Sequence, residues 1–131
     1  MRAELLELVK QIPTTSYRVS NELPYSNSDN PLYLKNPKTI YVDQPQTQVE
    51  LLLKVLNQVN VYNQVTTIRI YFANDAKQQP RDQLTTLLAL TQIKDQVPGS
   101  FDSRETTISN DYVNDIMITT IEYRFNTIYK E

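Results

Sequence analysis

The sequence predicts a single α+β domain over residues 1–131. Its sheet is mainly antiparallel, with helices packed on one face and a β-hairpin at the C-terminus. Three observations predict it. The closing stretch NDIMITTIEYRFNTIY, residues 114–129, is rich in β-branched and aromatic residues and has no Gly or Pro, as strands prefer. A second run of the same kind, QVTTIRIYFA, occupies 64–73. Between and before these runs, apolar residues recur at helical spacing.

The elements follow in order. In RAELLELVKQ, residues 2–11, Leu5, Leu8, Val9 and Ile12 share a helical stripe, and Pro13 ends it. SYRVSNE, 16–22, alternates with Tyr17 and Val19 on one side and reads as a strand. LPYSNSDNP, 23–31, is a polar loop between two prolines. LYLK at 32–35 and TIYVD at 39–43 read as short strands around an NPK turn. Thr47 and Glu50 have the spacing of a capping box. Val49, Leu52, Leu53, Leu56 and Val59 then repeat at helical intervals, which predicts a helix over about 48–58.

The strand at 64–73 places Ile68, Ile70 and Phe72 on one face and Thr67, Arg69 and Tyr71 on the other. After the loop NDAKQQP, Pro80 suits the first turn of a helix running to about 95. Leu84, Leu87, Leu88 and Thr91 define its stripe, extended by Leu90, Ile93 and Val97. RETTISNDYV, 104–113, is the penultimate strand, paired with the last through a turn at 113–115. In the last strand Met117, Ile121, Tyr123, Phe125 and Tyr129 point one way and should lie on a core. The opposite face begins with Ile116 and Ile118 and turns polar. Such a strand either has one wet face or shares its surplus apolar area with another subunit.

Composition narrows the function. A chain of 131 residues buries enough surface to stand without staples. Thirteen basic and 15 acidic residues give a net charge of −2, without the basic stripe of a sequence-reading DNA binder. No apolar run is long enough for a membrane helix, and MRAELLELVKQI lacks the apolar core of a signal peptide. There is no His and no Cys, which removes imidazole bases, thiolates, disulfides and the usual zinc sites. A single glycine, Gly99, cannot build a phosphate-binding loop. No cofactor or metal is expected, and an enzyme is the weakest class. Nine tyrosines supply large amphipathic surface suited to protein contacts, or to strands.

Two groups of residues are candidates for function. The first is the sheet face carrying Arg69, Tyr71, Glu122 and Arg124, together with Ile118 and Ile128 of the last strand, as a surface for another copy or a partner. The second is the acidic set Asp102, Glu105, Asp111 and Asp115. It reads as a solvated hairpin end, or as a lining that repels DNA phosphate from a passage. It lacks the oxygen density and the glycine of a calcium loop.

The order of RAELLELVKQ, then TTIRIYFANDAKQQP running into RDQLTTLLALTQIKD, then FDSRETTISNDYVNDIMITTIEYRFNTIY resembles the tail terminator and head–tail joining proteins of long-tailed bacteriophages. The resemblance is strongest over residues 64–131, and the helix expected at 48–58 departs from it. It implies a structural virion protein at the tail–neck junction, assembled in the host cytoplasm. Such a protein forms a ring, typically a hexamer, that caps the tail tube and meets the neck or connector. DNA passes through the lumen without being read, and no catalytic residues carry over. The alternative is a non-catalytic adaptor that binds a peptide along a sheet edge.

Overall fold

Two strands of 15 residues each run antiparallel through the middle of the sheet, β4 (Val61–Asp75) and β6 (Ile116–Lys130). They pair along their whole length, from Val61 opposite Lys130 to Asp75 opposite Ile116. The computed structural model describes residues 1–12, 18–20, 39–54, 60–75, 80–113 and 116–130. The loop expected at 23–31, the strand at 32–35, residues 76–79 of the expected loop NDAKQQP and the turn residues 114–115 lie outside these.

The remaining elements are α1 (Arg2–Lys10), β1 (Arg18–Ser20), β2 (Thr39–Val42), β3 (Gln46–Leu53), α2 (Pro80–Gln92) and β5 (Ser103–Val113). Among the described residues the sheet has six strands, in the order β1-β2-β4-β6-β5 with β3 also pairing with β4. Among them β1 and β2 are the parallel pair, and every other pair is antiparallel. The fold is therefore α+β with a mainly antiparallel sheet, closed by the antiparallel pair β5–β6.

Register explains which residues are buried. Ile121 lies opposite Ile70, and Ile70 opposite Val42. Residues directly across an antiparallel pair share a face. One face thus gathers Ile40, Val42, Ile68, Ile70, Phe72, Ile121, Tyr123 and Phe125 into the main core. Leu5 and Val9 of α1 and Leu90 of α2 join that cluster, so both helices pack on this face. The parity read from the last strand holds where it meets the helices: Ile121, Tyr123 and Phe125 are buried.

Three devices fix the helices. The Arg2 guanidinium donates from Nε and Nη2 to the Val42 carbonyl at 3.1 and 3.0 Å, tying the start of α1 to the end of β2. Past α2 the chain tightens into a 3₁₀ turn, Ile93–Gln96. Arg104 of β5 then donates to the carbonyls of Lys94, Val97 and Gly99 at 2.7, 2.9 and 2.9 Å, adding to the Val97 amide's bond to Lys94. Gly99 sits at φ 135°, and a β-carbon there would meet the Phe101 ring at 2.8 Å, so this position needs glycine.

Two expectations are corrected. The segment expected as a helix over 48–58 is a strand as far as Leu53, and 55–59 lie outside the described residues. Gln46-Thr47-Gln48-Val49-Glu50-Leu51 also alternates with period two, and β4 offers a ladder that satisfies that alternation. Tertiary pairing outweighed the capping pattern. The stripe expected on α2 holds in part: Leu90, with Ile93 and Val97 just past the helix, is buried as expected and Leu87 packs against the core, but Leu84 and Leu88 are exposed and Thr86 is buried. The inward face therefore follows the Leu87–Leu90 side of that stripe.

Candidate assembly surface

The strands β3, β4 and β6 extend past the helices as a three-stranded arm. The helix-covered core reaches Ile68 on β4 and Phe125 on β6. Beyond it, Gln46–Leu51 of β3 pairs residue for residue with Thr67–Tyr62 of β4, and β4 pairs on its other side with β6. A register shift between Leu51 and Leu53 makes Leu52 the extra residue of a bulge, a common feature of sheet edges. At the arm, Thr47 and Thr66 hydroxyls meet at 3.2 Å, and the Tyr62 and Tyr129 rings stack at 5.4 Å.

Every residue of β3 is exposed. Val49, Leu51, Leu52 and Leu53 have 54, 52, 50 and 55 % of their surface open. Burying a side chain of this size is worth about 1.5–3 kcal/mol, so four of them left open forgo several kcal/mol in the lone chain. Ile128 of β6 is 52 % exposed and adds to the same arm. With Leu52, Asn63, Asp102, Ser103, Glu105, Arg124 and Asn126 it lines an open depression of about 480 Å³ on the helix-free face. The depression is ordered by polar contacts. Asn126 donates to the Ser103 hydroxyl at 2.7 Å, and the Ile128 amide donates to the Asp102 carboxylate at 2.6 Å.

The sequence-predicted surface residues separate into three kinds. Tyr71 and Ile118 are buried by the chain itself, in a second small cluster with Tyr41 and Ala73 on the helix-free face. Tyr71 stacks on Tyr41 at 6.0 Å, and burial, then the nearby Asp43 carboxylate, push its phenol above the ordinary value. A partner therefore has no access to these two in this conformation. Arg69 and Glu122 are cross-strand neighbours whose Nε and Oε2 atoms lie 2.8 Å apart, and that hydrogen bond holds the guanidinium's pKa above its usual value. Arg124 and Ile128 are exposed, on the arm.

The acidic set is not one patch. Asp102 is engaged by the Ile128 amide. Glu105 lies across from Arg124, and Asp111 across from Ile118. Of the three described acids, Glu105 alone has a basic residue directly across from it. Asp115 lies outside the described residues. Among the described residues no group of three or more His, Cys, Asp or Glu is placed to hold a metal ion.

Sequence reasoning missed β3 altogether. The signal that finds it is the polar–apolar alternation over 46–51, which the leucines at 51–53 obscure by also fitting a helix. Comparison of the chain with protein-family models and with curated proteins gave no match.

Proposed function

We propose that this protein is a non-catalytic structural subunit that assembles with copies of itself into a ring. In this reading the ring, of about six copies, stands at the head-proximal end of a phage tail. It caps the tube, meets the neck, and leaves a lumen for DNA. The observation that carries the self-assembly is the eight-residue strand β3, exposed at every position with four apolar side chains open. A long apolar edge left bare recruits further strands without control, so soluble proteins cover such edges. A sheet edge also supplies directional backbone hydrogen bonds, which a closing ring needs for a fixed rotation between neighbours. The tail assignment adds the resemblance over residues 64–131.

Light scattering coupled to size exclusion tests the reading. The expected result is a species near six times the chain mass, alone or on addition of tail tubes, with an open centre in negative stain. A single-chain mass under both conditions overturns the ring. If such a monomer instead binds extended peptides through β3, it is the adaptor.

A further inference from the structure

Among the described residues, two long strands have one side without a strand partner: β3, beside β4, and β5, beside β6. They stand on opposite flanks of the same sheet and contain eight and 11 residues. Each exposes apolar side chains on the face that the helices occupy. Val49 and Leu51 share that face with Gln64 and Tyr62, and Ile108 shares it with Ile121. Ile108 and Tyr112, 43 and 67 % exposed, lie four residues apart on β5 and so point the same way.

Resting on the self-assembly reading, we propose that β3 of one copy pairs antiparallel with β5 of the next, Val49 opposite Ile108. The sheet then runs unbroken from subunit to subunit. One contact completes both bare edges, which neither a β3–β3 nor a β5–β5 pairing does. The two edges differ, so the contact is head-to-tail and closes only by rotation. In this register Glu50 falls opposite Thr107 and Gln46 opposite Asp111, so no like charges meet. A slip of one residue would send the apolar side chains of one strand to the wrong face.

The chain has no cysteine, so introduced thiols report the pairing alone. Residues opposite each other in an antiparallel pair are about 4.5–5.5 Å apart at Cα, within disulfide range. Val49→Cys and Ile108→Cys are made as separate full-length variants, each checked for native circular dichroism, then mixed and oxidised. The expected result is a mixed covalent dimer, little linkage in either variant alone, and a ladder of covalent oligomers from the double variant. Thr47→Cys with Asn110→Cys lies in the same register and is expected to link likewise. Val49→Cys dimers without the mixed product overturn the pairing in favour of a β3–β3 contact. An oligomer by light scattering with no linkage from either pair overturns the pairing and leaves the ring reading intact. A single-chain mass with no linkage, both alone and with tail tubes added, overturns both.

Discussion

Tyr62 and Tyr129 stack with ring centroids 5.4 Å apart and planes 22° from parallel, clamping the start of β4 to the end of β6. The pair lies beyond the helix-covered core, so side-chain contacts of this kind, with the backbone ladder, hold the arm in shape. An aromatic pair contributes about 0.5–1.5 kcal/mol beyond its buried area. Tyr129→Ala is therefore expected to lower stability by roughly 1–2 kcal/mol. Amide exchange should rise in β3 and at the start of β4, with little change at Ile68–Phe72. Hydrogen exchange read by mass spectrometry checks this. Uniform loss of protection across β4 would show that the arm and the core open together.

Arg104 ties the turn after α2 to β5. Its guanidinium gives three hydrogen bonds to the carbonyls of Lys94, Val97 and Gly99 and lies 5.0 Å from the centre of the Phe101 ring. Arg104→Ala removes all of these and leaves the turn after α2 with only its own backbone bond from Val97 to Lys94. Hydrogen bonds to charged groups are worth about 1.5–3 kcal/mol each in isolation, but these share one side chain and overlap. The expected loss is about 2–4 kcal/mol, measured by urea denaturation. Arg104→Lys should recover less than half, because an ammonium cannot reproduce the planar fork.

How much of this was legible in the sequence follows from where the signals were local. The last strand and the strand at 64–73 announce themselves by β-branched content, and both helices by Pro and apolar spacing. The segment at 46–53 carried two periodicities at once. Only the presence of β4 as a partner decides between them, and no local pattern shows that partner. Ile118 was misread for a similar reason: parity gives the face of a strand but not what covers it, and here the chain covers it itself. Arg104 had no sequence signal, because its three acceptors are carbonyls grouped by a turn. The surplus apolar area expected in the last strand sits mostly on β3, on the far side of β4.

Tyr123 is fully buried in the main core, and among the described residues its hydroxyl has no hydrogen-bond partner. Burial, then the Asp95 carboxylate, push its phenol well above the ordinary value of 10.0. The folded state therefore keeps a proton that the unfolded chain loses once the pH passes about 10. Stability from this group is fully present below that pH and falls as the pH rises toward the folded value. Tyr123→Phe removes an unsatisfied polar atom and keeps the ring. It is expected to raise stability by about 1 kcal/mol at pH 7. The advantage should widen above pH 10, where only the native protein carries the penalty. Thermal melts at pH 7 and pH 10.5 check both parts. A destabilised Phe variant at pH 7 would reveal a partner for the hydroxyl.

Ile118 and Ile128 sit on the same face of β6, ten residues apart, and differ in everything that packing controls. Ile118 is fully buried among Tyr41, Tyr71 and Ala73, whereas Ile128 is half open at the arm. Truncating a buried Ile costs about 2–5 kcal/mol through lost transfer energy and the cavity left behind. Truncating an exposed one usually changes stability by less than about 0.5 kcal/mol. Ile118→Ala should thus lower the denaturation midpoint strongly and leave the association constant of folded subunits unchanged. Ile128→Ala should leave the midpoint nearly fixed and weaken self-association, because its side chain belongs to the arm that carries β3. Urea denaturation and sedimentation equilibrium on the two variants separate the effects. If Ile128→Ala assembles as the parent does, the apolar contribution of the arm is confined to β3, and Leu51→Thr becomes the decisive variant.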